Sequence, residues 1–307
     1  MPGNRLTQLD AVTGAFSYSG ATIARELQAA GHRVRTLTGH PRRAAGDVEV
    51  RPLQFGDRDG LARSLDGVHT LYNTYWIRFG LGELDHDRAV SNSKVLFDTA
   101  AAAGVRRIVH VSITHADAAS PYPYFRGKAA VEEHLKGTGV EYAILRPAIL
   151  FGDSANGTSG VLLNNIAWLL RRVPVFAIGG RGHYRIRPVH VDDLARLCLT
   201  SSENVTIDAV GPESLSFRQL VMAIRAAVGS RAALVSVPGP VLTGLASVLG
   251  VVLNDVLLTR DEYRAMAEGL ADTGGPATGS IAVTDWLTEH ASELGRKYAS
   301  ELGRHFR

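Results

Sequence analysis

Residues 9–20, Leu9-Asp10-Ala11-Val12-Thr13-Gly14-Ala15-Phe16-Ser17-Tyr18-Ser19-Gly20, run directly into Ala21-Thr22-Ile23-Ala24-Arg25-Glu26-Leu27. An apolar run, a turn with two glycines, and then Ile23 and Leu27 four apart predict the order strand, turn, helix. The leading N–H groups of a helix have no partner within it and carry a partial positive charge, so a diphosphate seated there is bound by the main chain itself. Gly14 supplies a backbone conformation that other residues rarely adopt, and Gly20 lets the helix pack closely on the strand before it. Read as Thr-Gly-x-x-Gly-x-x-Gly, the turn has Ser17 where the middle glycine of a dinucleotide fingerprint stands. The candidate cofactor contacts in this stretch are Thr13, Gly14, Phe16, Ser17, Tyr18 and Gly20.

Outward from this turn, strand and helix signals alternate. Gly31 to Thr38 reads as a second strand, and beyond it comes Thr38-Gly39-His40-Pro41-Arg42-Arg43. No carboxylate stands there to hold ribose hydroxyls; His40, Arg42 and Arg43 suit a 2′-phosphate instead, so the cofactor expected is NADP, with NAD as the alternative. Val48–Leu53 is a third strand. Asp57 either accepts from an adenine amino group or caps the helix carrying Leu61 and Leu65. A fourth strand ends at Asn73, at the carboxyl edge where open α/β sheets bind ligands, and Tyr75, Trp76 and Phe79 follow as pocket wall or core. A long helix over Glu83–Ala103, a strand over Arg107–Ser112, a helix through Leu135 and a strand over Glu141–Leu145 complete the alternation. The fold class is therefore α/β: a doubly wound parallel sheet of Rossmann type with helices on both faces.

The second informative stretch is Ser112-Ile113-Thr114, followed by Tyr124-Phe125-Arg126-Gly127-Lys128. Residues four apart on a helix share a face, so the Tyr124 hydroxyl and the Lys128 amine point into one site. A phenol with a pKa near 10 is a poor base, but a neighbouring cation favours its ionised form and brings it toward the working range. Tyr124 is thus a candidate general acid/base and Lys128 its cation, with Ser112 or Thr114 holding the substrate oxygen.

Composition sets the remaining bounds. At 307 residues and 45% apolar, the chain can bury one large core or a main domain with a smaller lobe. Its single cysteine, Cys198, cannot form an internal disulfide, so a reducing, cytoplasmic setting is expected. The longest apolar stretch, Val241–Leu258, is interrupted by Asn254 and Asp255; it reads as the lining of an apolar substrate pocket or as a surface buried on the main domain, and not as a membrane span. A net charge of +3 from scattered arginines gives no nucleic-acid surface, and no metal is expected. Residues 1–155 are expected to form the nucleotide-binding domain, with a strand and helix near 187–212 rejoining it and 156–307 forming a smaller, mostly helical lobe. In that lobe Leu287, Ala291, Leu294, Tyr298 and Leu302 fall along one side of a single terminal helix, which docks on its own chain or on a second copy. His190, ahead of the acidic pair Asp192-Asp193, reads as a catalytic candidate or as a structural hydrogen-bonding group.

Taken together, Thr13-Gly14-Ala15 with Gly20, Asp57, Ser112 with Tyr124 and Lys128, Leu145-Arg146-Pro147 with Phe151-Gly152, and Arg187-Pro188-Val189-His190-Val191-Asp192-Asp193 resemble an extended or atypical short-chain dehydrogenase/reductase of the NmrA-like and epimerase-like kind. The resemblance spans residues 8 to about 200. It implies NAD(P) binding, a small-molecule substrate, a second role for Lys128 on the nicotinamide ribose, and packing of the residues after Arg146-Pro147 beside the nicotinamide, which adds Pro147 to the candidates. The activity it implies is an NADP(H)-dependent oxidoreductase. A non-catalytic NAD(P) sensor or assembly factor and a nucleotide-sugar epimerase are the alternatives, the last weakened by the short loop between Thr114 and Tyr124.

Overall fold

The computed structural model describes residues 8–39, 47–80, 82, 84–157 and 159–305. They divide into two compact units, one holding the chain up to Pro147 with Ser154–Asn156 and Leu194–Asp208, the other holding Ala148–Asp153, Gly157–Asp193 and the chain from Ala209 onward. Among the described residues no helix is long and apolar enough to cross a membrane.

The first unit alternates as its sequence predicts: β1 (Leu9–Thr13), α1 (Tyr18–Ala29), β2 (Arg33–Thr38), β3 (Glu49–Pro52), α2 (Arg58–Leu65), β4 (Thr70–Asn73), α3 (His86–Ala102), β5 (Arg107–Val111), α4 (Pro123–Gly137) and β6 (Glu141–Pro147). After β7 (Ile149–Phe151), α5 (Val161–Leu170), β8 (Val175–Gly179), β9 (Arg185–Ile186) and β10 (Pro188–His190), α6 (Val191–Thr200) leads to β11 (Val205–Ala209). The main sheet has the order β11-β6-β5-β4-β1-β2-β3, and the neighbours from β6 to β3 pair in parallel. Ala11, Leu37, Leu71, Ile108 and Ile144 pack on one face against Leu61 and Leu65 of α2, Phe97 of α3, and Val131 and Leu135 of α4. Because strand side chains alternate, the residues between them point to the opposite face, where α1 lies against β1 and β2. The winding reverses between β1 and β4, so the ends of these strands, Thr13 and Asn73, flank the crevice where such sheets take ligands. Arg107 fastens the returning segment by donating to the carbonyls of Ser201, Ser202 and Glu203 at 2.7–3.0 Å.

The second unit continues with β12 (Leu215–Ser216), α7 (Phe217–Ala227), β13 (Ala233–Val237), α8 (Gly239–Leu253), α9 (Arg260–Ala267), α10 (Val283–Glu289) and α11 (Glu301–His305). Its core gathers Phe151, Leu163, Ile166, Leu170, Phe217, Leu220, Trp286 and Leu287.

Three elements differ from the sequence reading. The long helix α3 starts at His86, because Asp85 accepts from the Arg88 amide at 2.8 Å and caps it there. The single terminal helix is broken into α10 and α11 around Gly295, which takes φ +70. The carbonyls released there are taken by guanidinium groups: Arg171 binds those of Ala291 and Leu294, and Arg172 those of Gly295 and Arg296. The stretch expected to line an apolar pocket or to be buried on the main domain forms α8, on which Val241, Leu245, Val248, Val251 and Val252 are exposed, Val251 at 83%.

Candidate dinucleotide and acid–base site

The turn after β1 is fixed by its own backbone. Gly14 takes φ +69 and donates to the Leu37 carbonyl at 2.9 Å, the Ala15 amide donates to Thr36 Oγ1 at 3.0 Å, and the Ser17 amide returns to the Gly14 carbonyl at 2.8 Å. A Cβ placed on Gly20 would lie 2.2 Å from the Gly14 carbonyl oxygen, so only glycine lets α1 begin this close to the turn. Ser17 occupies the N-cap of α1 without a side-chain cap bond, and the first turn of the helix holds no carboxylate. These residues therefore fit an anion: the leading amides are not covered by the cap side chain, and no negative charge opposes a diphosphate. The Phe16 carbonyl accepts from Asn156 Nδ2 at 2.9 Å, and Tyr18 opens the helix. Asp57 caps α2, its Oδ1 accepting from the Gly60 amide at 2.8 Å, and is half exposed. His40, Arg42 and Arg43 lie outside the described residues.

Thr13 is a junction. Its Oγ1 accepts from the amides of Thr74 at 2.7 Å and Tyr75 at 3.0 Å and donates to Asn73 Oδ1 at 3.1 Å. Asn73, with no exposed surface, meets His110 Nδ1 through its Nδ2 at 3.0 Å. Burial, reinforced by the amine of Lys128, holds the His110 ring well below the usual imidazole range and so neutral. A neutral ring accepting from Asn73 at Nδ1 carries its proton on Nε2.

Tyr124 and Lys128 share one face of α4. Lys128 is buried to 2% exposure; its Nζ donates to the Val111 carbonyl at 2.8 Å and stands 4.4 Å from the centroid of the Trp76 ring. Burial pulls its pKa down from 10.5 to about 7, although the Glu132 carboxylate one turn further along α4 favours the cation. Burial thus draws the amine, expected from sequence as the cation beside Tyr124, toward neutrality. The Tyr124 ring meets Trp76 edge-on at 5.8 Å and His86 at 5.6 Å.

Ser112 and Thr114, left open as oxygen holders by the sequence, differ in surroundings. The Ser112 hydroxyl donates to Glu132 Oε1 at 2.5 Å, and Arg146 clamps the same carboxylate, with Nε 2.9 Å from Oε1. Thr114 is fully buried, with its amide bound to the Pro147 carbonyl at 3.1 Å. The sequence reading missed Glu132, His86 and His110. Glu132 had a signal, since Tyr124, Lys128 and Glu132 succeed one another at four-residue steps on α4; the two histidines arrive from separate elements and had none. In the second unit His190 has a structural setting: its Nδ1 accepts from the Asp192 amide at 3.2 Å, and its ring occupies the space a Cβ on Gly152 would need.

Residues 14–165 match the profile of a family described as NAD(P)H-binding. That match covers just under half of the chain, and the fold of the whole is shared with solved reductases and epimerases. Citrobacter triphenylmethane reductase, solved with NADP(H), superposes with a TM-score of 0.75 at 21% identity over 92% of this chain and 99% of that one. The Escherichia coli NADPH-dependent quinone oxidoreductase, solved with NADPH, gives 0.71 at 20% identity over 94% and 99%. An uncharacterised protein of Sinorhizobium fredii is 26% identical over 275 residues, 80% of this chain and 68% of its own length. The matched segment includes both the glycine turn and the Tyr124–Lys128 face.

Proposed function

We propose that this chain is an NADP(H)-dependent oxidoreductase that reduces a small, apolar carbonyl or quinone-like acceptor. The observation that carries the reading is the buried Lys128 amine one helical turn from Tyr124 within an NAD(P)H-binding domain. The backbone of Gly14 to Gly20 and the first turn of α1 hold the diphosphate, and Lys128 doubles as an anchor for the ribose. Bound nicotinamide supplies the hydride. Tyr124 gives the accompanying proton to the substrate oxygen, and Lys128, titrating near neutrality, passes a proton on to the phenol. Ser112 or Thr114 steadies the oxygen, and the Ser112 hydroxyl already donates to Glu132. The acceptor class draws on the quinone oxidoreductase and triphenylmethane reductase, which share the fold.

The test is NADPH oxidation across a panel of quinones and carbonyls by wild type and Tyr124→Phe. The variant is expected to bind NADPH as wild type does and to turn over about 10²-fold more slowly. Equal turnover removes Tyr124 from the mechanism. Tight NADPH binding without oxidation of any acceptor supports a nucleotide sensor instead, the reading favoured by the diversion of Ser112 to Glu132.

The choice of NADP over NAD rests on Arg42 and Arg43 and on Thr38-Gly39, where a ribose-binding carboxylate would stand. Calorimetry is expected to show NADP binding at least about tenfold more tightly, roughly 1.4 kcal/mol. The double change Arg42→Ala, Arg43→Ala is expected to abolish that difference; equal affinities in the parent protein refute the preference.

A further inference from the structure

We infer that Trp76 is a positioning residue of this site, whose indole seals Lys128 from water on the face of α4 that it shares with Tyr124. Thr13 Oγ1 holds the amides of Thr74 and Tyr75, so the backbone is anchored up to the residue before Trp76. From there the indole lies across α4. A Cβ on Gly127 would come within 3.1 Å of its Cη2, the Lys128 amine sits 4.4 Å from a ring centroid, and the Tyr124 ring abuts it edge-on at 5.8 Å. Gly127 is thus the notch on α4 that admits the ring, which touches both functional side chains. His86 stacks on it with ring planes 18° apart.

The indole Nε1 is buried and has no hydrogen-bond partner among the described residues. A buried tryptophan ordinarily finds an acceptor for this group, and leaving it without one has a desolvation cost. The ring is therefore held here by its faces, one of which receives the amine. An aromatic face replaces part of the water that a cation would otherwise need, while the bulk of the ring keeps solvent out. The other groups around Lys128 are accounted for. Glu132 on the same helix favours the cation but is clamped by Arg146 of β6, His110 of β5 is neutral, and the Val111 carbonyl accepts from Nζ. Tyr124 on α4 and His86 at the start of α3 complete the surround through the rings they share with Trp76.

The inference rests on the proposed acid–base role of the pair, but its test does not pass through turnover. The chain has four lysines, at 94, 128, 136 and 297, so ¹³C-lysine labelling gives a sparse NMR spectrum in which Lys128→Met assigns the Lys128 Cε signal. In the full-length protein without nucleotide, Lys128 is expected to titrate near pH 7. Trp76→Ala is expected to raise that midpoint by about one pH unit or more, toward the ordinary lysine value, by admitting water. Trp76→Phe keeps a ring in place and is expected to restore the low midpoint. Gly127→Ala, which pushes the indole off α4 without altering Trp76, is expected to shift it in the same direction as Trp76→Ala. A wild-type midpoint near 10.5, or a folded Trp76→Ala that titrates with wild type, overturns the inference. Should Trp76→Ala not fold, Gly127→Ala decides: an unchanged midpoint refutes. A Tyr124→Phe variant with full activity would defeat the proposed reaction and leave this titration standing.

Discussion

Lys128 shows how much a single residue's reading changes between sequence and structure. Its spacing from Tyr124 was plain in the sequence, since four residues on a helix make one turn, and the structure sets both side chains on α4. Its state was not legible, because burial comes from Trp76, β5 and the rest of α4, which meet only in the folded chain. The consequence for stability follows from the sign. With the folded value near 7 and the unfolded value near 10.5, both forms bind the proton below about pH 7, and the full penalty of burying a charge is present there. Between the two values the unfolded chain holds more protons, so this group's contribution to stability improves as pH rises. Lys128→Met removes the penalty. Thermal melts are expected to show the variant's advantage over wild type greatest at pH 6 and shrinking toward pH 9; a gap independent of pH contradicts a depressed amine.

Among the elements, those bounded by strong punctuation were legible. Gly31, Gly104 and Gly139 all take positive φ at the ends of helices or at the turns after them, and the strands and helices between follow the sequence closely. The glycine turn was legible for the same reason, since the clash a side chain would meet at Gly20 is local. The terminal helix was not. Leu287, Ala291, Leu294, Tyr298 and Leu302 keep helical spacing through a segment that Gly295 interrupts, and the groups compensating for the interruption, Arg171 and Arg172, lie more than a hundred residues earlier. Asn164 and Asn165 bind the same segment at Gly295, Lys297 and Ala299. Periodicity reports which residues face inward; it does not report a distant side chain that makes a break affordable.

For the whole molecule, the parallel sheet follows from the alternation of strand and helix, whereas the path of the chain does not. The segment 194–208 returns to the first unit because Arg107 reaches three of its carbonyls and β11 adds beside β6. No local pattern announces that return. The outward side of α8 has a different consequence. Val241, Leu245, Val248, Val251 and Val252 present a charge-free strip longer than two helical turns, larger than the isolated apolar residues usual on a protein surface. Such a strip is a chromatographic handle: wild type is expected to be retained on a phenyl matrix at moderate ammonium sulfate, and Val251→Lys with Val252→Lys to elute much earlier at an unchanged melting temperature. Co-elution of the two proteins would mean that the strip is covered in solution, and the salt at which this chain comes out of solution would then be set elsewhere on its surface.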